Sequence, residues 1–213
     1  MGLVDFVLHF DQYLVQFVGD YGSWVYAILF LIVFAETGFV VTPFLPGDSL
    51  LFAAGALSAQ PDSGLSLTAL IALLIFAAFA GNTVNYSVGR FVGPRVFQSG
   101  HRLMNKQYLD RAHAFFEQYG GKAIVLGRFV PIVRTFVPFV AGAAQMTTGS
   151  FVAYNAVGAV AWVSLCLVAG ALFGNIPIIK NNFSLVTIGI VFVSVLPMVF
   201  ELLSHRRRRG GVT

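Results

Sequence analysis

The chain has 213 residues, of which 57% are hydrophobic and only 10% charged, with a formal net charge of +4. Soluble domains carry about 25% charged residues, so this composition excludes an ordinary globule and predicts one integral membrane domain over 1–213. The positive charges are placed as membrane-orienting residues rather than as a nucleic-acid surface. No His/Cys cluster, phosphate loop or nucleophile–base arrangement points to a metal, a cofactor or an enzyme.

The opening stretch, "MGLVDFVLHFDQYLVQFVGDYG", has no Lys or Arg and spreads Asp5, Asp11 and Asp20 through its apolar part, unlike a signal peptide. Over residues 3–18, Asp5, His9, Gln12 and Gln16 fall at helical spacing, with Phe6, Phe10, Leu14 and Phe17 elsewhere around the barrel. This predicts an amphipathic helix within 1–20, lying on the membrane surface. The apolar run from Trp24 to Leu57 is too long for one crossing of about 20 residues and too short for two. "TPFLPGD" interrupts it, because proline removes a backbone donor and disfavours helix at the residue before it. The expected result is one span over 24–41, then a short hairpin over 43–57 that dips into the membrane and returns. Pro43, Pro46 and Gly47 shape that hairpin. Non-helical backbone at membrane depth is tolerated only where it is buried in protein or lines a wet cavity. Glu36 and Asp48, flanking the break, therefore point to a polar cavity.

"QPDSGLS" (60–66) is a turn, and a span follows over 67–89. Gly81, Asn85 and Gly89 share one face of it, with Asn82 beside them. Such a face suits close helix contact first; the other reading is a cavity lined by Asn82, Asn85 and Tyr86, with Asn155 of the later span. Residues 90–122 form a polar segment with an amphipathic surface helix, stopped by Gly120-Gly121. "GKAIVLGRFVPIVRTFVPFVAGAAQ" then repeats the earlier theme, broken by Pro131 and Pro138 and carrying Arg128 and Arg134. "FLPGDSLLFAAGA" and "FVPIVRTFVPFVAGA" look like distant copies. Each precedes a span with an Asn–Tyr pair, Asn85-Tyr86 in one and Tyr154-Asn155 in the other. The first repeat is 24–89 and the second 123–173, with its span over 150–173. A last span and a basic tail occupy 184–213. Cys166, the single cysteine, reads as packing.

Six basic residues lie in 90–122, and Arg206 to Arg209 lie in the tail. Cytoplasmic segments are rich in Lys and Arg, so both termini and the 90–122 segment are expected inside and the 58–66 turn outside. The two hairpins then enter from opposite sides. The expected fold is an all-α membrane bundle with two opposed re-entrant hairpins in an inverted repeat, plus amphipathic surface helices.

"FAETGFVVTPFLPGDSLLFAAGAL", "NYSVGR", "GGKAIVLGRFVPIVRTFVPFVAGAAQM" and "AYNAVGAVAW" together resemble the DedA family of bacterial inner-membrane proteins. That family sits within the superfamily of SNARE-associated Golgi, or VTT-domain, proteins. The resemblance covers nearly the whole chain. It implies a small multi-pass transporter of the bacterial inner membrane that moves undecaprenyl phosphate or phospholipid between leaflets in a proton-dependent way. It places the functional acids on Glu36 and Asp48 and the functional arginines on Arg128 and Arg134. One departure stands out: the pattern G-acid-x-x-x-Y-x-x-G-R has Asn82 at its acidic position here, so proton coupling falls to Glu36 or Asp48.

The residue chemistry agrees. An ionisable side chain in a span costs about 2.5–3.5 kcal/mol, so four of them need a cavity or partners. A carboxyl shielded from water takes up a proton more readily. Arginine stays charged, and its planar fork suits a phosphate. Pairing of the acids with the arginines, holding the two hairpins together, is the other arrangement open to them. The expected function is proton-coupled translocation of a phosphate-headgroup lipid. Proton-coupled ion antiport and a non-transporting scaffold for envelope or division machinery are the alternatives.

Overall fold

The computed structural model of the protein describes residues 22–39, 47–60, 63–98, 119–129, 131–173 and 176. The N-terminal helix expected within 1–20, Pro43, Pro46, residues 99–118 of the amphipathic segment expected over 90–122, and the last span over 184–203 lie outside the described residues. Among the described residues the secondary structure is entirely helical: α1 Trp24–Gly38, α2 Gly47–Ser58, α3 Leu67–Gln98, α4 Lys122–Gly127, α5 Pro131–Ala143 and α6 Thr148–Phe173. Two of these, α3 over Leu67–Gly93 and α6, are long and apolar enough to cross a membrane.

The helix ends follow local chemistry. α1 stops where Phe39 turns extended (φ −106°, ψ 121°), three residues short of the expected 41. Near that end the buried Thr37 hydroxyl bonds back to the Val33 carbonyl at 2.8 Å, which satisfies it inside an apolar helix. Ser66 caps α3, accepting from the Ala69 N–H at 3.4 Å. Gly120, at φ +54°, makes the turn into α4. Pro131 opens α5, where a missing N–H costs nothing. α5 closes with Met146 N–H on the Ala141 carbonyl at 3.0 Å and Gln145 in the left-handed region at φ 57°.

Two expectations need correction. α3 runs on to Gln98 instead of ending at Gly89. Gly89 lies within the helix and makes the close contact its face suggests: a Cβ there would overlap the Phe139 carbonyl of α5. The second is Pro138, expected to break the second hairpin. It lies inside α5, which continues through it. The chain breaks instead just before Pro131, at Arg128-Phe129. Proline removes the donor for the carbonyl four residues back. Asn85 Nδ2 from α3 donates to the neighbouring Thr135 carbonyl at 2.8 Å and ties this stretch down.

The packing is reciprocal. α5 lies on the second half of α3, and α2 lies on the second half of α6. In one contact, Gly142 sits on the Tyr86 carbonyl and Gly89 on the Phe139 carbonyl. In the other, Gly55 sits on the Leu167 carbonyl and Gly170 on the Phe52 carbonyl. Both seams thus use a Phe-x-x-Gly step on the short helix, Phe52 to Gly55 and Phe139 to Gly142. Each glycine lets two backbones touch, as small residues do between membrane helices. Gly89→Ala is expected to force the α3–α5 seam apart at a cost of about 1–3 kcal/mol. A lowered melting midpoint of the purified protein would register it, and an unchanged midpoint would refute the seam.

α3 and α6 run antiparallel, and along both an apolar cluster at each end brackets a polar layer. On α3, Asn82 and Asn85 lie between Ala78 of one cluster and Tyr86 of the other. On α6, Asn155 lies between Phe151 and Ala159. Outward-facing positions such as Leu31, Phe76, Val157, Leu165 and Leu172 are exposed and apolar, while Glu36, Asn82, Asn85, Arg128, Arg134 and Asn155 are buried. Polar inside and apolar outside is the arrangement a bilayer demands.

Candidate functional site

The polar layer brings the four charged residues singled out in the sequence into one place. Glu36 comes from the last turn of α1 and is fully buried. Asp48 sits in the first turn of α2, where the helix dipole favours its charge. Arg134 lies one turn into α5, and Arg128 sits at the break between α4 and α5.

The two arginines are held differently. Arg134 bridges both acids: Nη1 donates to Asp48 Oδ1 at 2.7 Å, and Nη2 donates to Glu36 Oε1. One fork thereby joins α1, α2 and α5. Glu36 Oε2 has no hydrogen-bond partner among the described residues and rests against Gly47, where any Cβ would overlap it. Arg128, 3% exposed, contacts no carboxylate among the described residues. Its Nη2 donates to Asn155 Oδ1, with longer contacts of 3.5 Å to the carbonyls of Ala78 and Asn155. With its carbonyl oxygen assigned toward Arg128, the Asn82 amide accepts from Nη2 at 2.8 Å and donates to the Thr37 carbonyl at 3.3 Å. Asn155 Nδ2 is anchored to the Phe79 carbonyl at 3.0 Å and Thr83 Oγ1 at 3.2 Å. Neutral amides therefore hold Arg128, and carboxylates hold Arg134. The Nε groups of both arginines lack partners among the described residues.

Glu36, Thr37, Asn82, Arg128, Arg134, Thr135 and Trp162 surround a cavity of about 10 Å³, room for roughly one water. Of the four residues expected to line a cavity, Asn82 does so, and Asn155 reaches it through Arg128. Asn85 and Tyr86 serve helix contacts instead. Asn85 clamps the carbonyls of Thr37, at 3.3 Å, and Thr135. Tyr86 stacks on Phe151 at 4.1 Å and donates to the Met146 carbonyl, while Arg90 Nη1 donates to its hydroxyl at 2.7 Å. Gly47, Pro131 and Pro138 flank or carry the charged residues as described.

The residue missed in the sequence is Trp162. Its Nε1–H donates to Asp48 Oδ1 at 2.8 Å, and its ring lies 5.2 Å from the Arg134 guanidinium carbon. The signal was there: a buried indole N–H in an apolar span needs an acceptor. Among the described residues no group of His, Cys, Asp or Glu is placed to hold a metal.

Comparison with known proteins adds a family. The VTT domain matches residues 45–172. Protein DedA of Escherichia coli (strain K12) is 51% identical over 206 residues, 96% of this chain and 94% of that protein. An uncharacterized membrane protein of Mycobacterium tuberculosis (strain H37Rv) is 42% identical over 91% of this chain and 86% of its own length. The inner membrane protein YqjA of Escherichia coli (strain K12) is 34% identical over 83% of this chain and 80% of its own length. No solved structure matches the chain.

Proposed function

Because the chain belongs to the DedA family of VTT-domain membrane proteins, we propose that it is a transporter that moves a phosphate-headgroup lipid between leaflets, coupled to protons. The lipid is undecaprenyl phosphate or a phospholipid. One observation carries this reading: a buried arginine that meets no carboxylate among the described residues, Arg128, beside a second arginine that two carboxylates occupy. Arg128 is a standing anion site. Arg134 is a gate whose fork is freed for phosphate when Glu36 or Asp48 takes up a proton and gives up its ion pair. The cavity has no room for a phosphate while the pairs are made, so entry of the headgroup and opening of the pairs are one event. The tail stays in lipid while the head crosses the polar layer.

The reciprocal glycine seams support two re-entrant hairpins, 43–57 and one built from α4 and α5, related as an inverted repeat. In such a repeat the two halves rock about a fixed midplane site. The 90–122 segment and the C-terminal tail face the cytoplasm on the strength of their basic residues, and the N-terminus follows by counting spans back from them. The size of the cavity favours one other reading, a small ion as the occupant in proton-coupled antiport. Proteoliposomes distinguish the two. Labelled polyprenyl phosphate and phospholipid are expected to change leaflets faster with the protein than without it, and faster again under an imposed pH gradient. Vesicles that move protons against an added cation but flip neither lipid would replace lipid transport with antiport.

A further inference from the structure

We propose that Trp162 is a positioning residue that holds the ion-pair cluster closed, with its indole N–H on Asp48 and its ring face on Arg134. The inference deepens the gate reading given above and rests on it. Trp162 is 3% exposed and lines the cavity. It is the point at which a long membrane-capable helix, α6, holds both the acid of α2 and the arginine of α5. An indole N–H is a donor only, so it favours the ionised carboxylate. A ring face attracts a cation, so it favours Arg134 where the pair needs it. Both contacts are lost if α2 and α5 swing away from α6.

The reciprocal seams show why this contact has no twin. They match Leu167 and Gly170 of α6 with Tyr86 and Gly89 of α3. In that register Trp162, five residues before Leu167, corresponds to Gly81, five before Tyr86. Gly81 has no side chain because α1 crosses there: a Cβ would press on the Phe34 carbonyl and the Gly38 N–H, 2.8 and 3.0 Å away. One half of the bundle is thus closed by a backbone crossing, and the other by a single side chain. The side chain is the part that can let go, so the cluster opens on the Trp162 side.

The chain carries its own reporters. Cys166 is its only cysteine, partly buried and one turn beyond Trp162 on the same face of α6. Trp24 and Trp162 are its only tryptophans. In the full-length protein in nanodiscs, without lipid substrate, Trp162→Phe keeps the aromatic face and removes the N–H. It is expected to speed alkylation of Cys166 by a small water-soluble thiol reagent about tenfold or more, the equivalent of one hydrogen bond to a charged group. In an Asp48→Ala background the same substitution is expected to add little, since its partner is gone. Equal alkylation rates for Trp162→Phe and the parent, or an undiminished effect in the Asp48→Ala background, would overturn the proposal. A second measurement stands even if Trp162→Phe folds poorly. In Trp24→Phe protein, whose one remaining indole is Trp162, Asp48→Ala should shift the emission to longer wavelength as water reaches the ring. An unchanged spectrum would overturn the proposal equally. Vesicles that flip no phosphate lipid, while Trp162→Phe still opens Cys166, would remove the transport reading and leave this one standing. Flipping by the parent with Cys166 indifferent to Trp162→Phe would do the reverse.

Discussion

Arg134→Ala is expected to abolish the proposed transport and to destabilise the protein by about 3–5 kcal/mol, the usual cost of stranding a buried charge whose partner is removed. The reason is specific to its geometry. Arg134 neutralises two acids from two helices, and Glu36 has no exposed surface through which water could take over. The variant is expected to express poorly and melt early in detergent. Arg134→Lys recovers part of the stability but little transport, because one ammonium cannot reproduce a fork that reaches two carboxylates at once. Loss of function in a misfolded protein would teach little, so the decisive variant removes the whole charge set. Glu36→Gln, Asp48→Asn and Arg134→Met together leave no stranded charge and should restore the melting midpoint to near that of the parent. Lipid flipping should remain absent. Flipping by that triple variant would reduce the cluster to a structural brace.

Arg128→Gln is expected to give the opposite signature: the proposed transport should fall by at least about 100-fold while stability changes by no more than about 1–2 kcal/mol. The same residue type, buried to a similar degree, behaves differently because its partners differ. Removing Arg128 strands no carboxylate among the described residues; it leaves the amides of Asn82 and Asn155, which can bond to glutamine or to water. It even relieves the cost of keeping out of water a cation that no carboxylate among the described residues compensates. Thermal melting and flipping assays on the same preparation test both halves. A variant that unfolds as Arg134→Ala does would mean that an acid outside the described residues pairs with Arg128. A variant that still flips lipid would deny Arg128 any part in binding the headgroup.

Much of this arrangement was legible in the sequence. Charges in apolar runs are costly, so Glu36, Asp48, Arg128 and Arg134 announced themselves by location alone. Pro131 announced a break, whereas Pro138, expected to make another, lies inside a continuous helix. Which arginine takes which acid was not legible: Glu36 and Arg134 meet across 98 residues of chain, and no local pattern encodes that pairing. Gly89, on the face that suits close helix contact, is where α5 approaches; the end of α3 was less legible, since the helix runs on through polar residues to Gln98. Asn85 and Asn82, three residues apart, were equally eligible to line a cavity. Only the position of α5 decides that Asn85 clamps backbone while Asn82 meets Arg128. Trp162 was passed over because its two polar contacts come from helices distant in the chain.

The cavity's size has a further consequence for the cell that carries this protein. Among the described residues the chamber has space for about one water, too little for a file of waters along which protons could hop. Moving one elementary charge down a membrane potential releases about 2.3 kcal/mol per 100 mV, so a permanently wet polar layer would drain the energised membrane at every copy of the protein. On the transport reading proposed above, a closed chamber this small would make the resting molecule an insulator. Its copy number would then be free to follow demand, with leakage confined to the brief intervals of turnover.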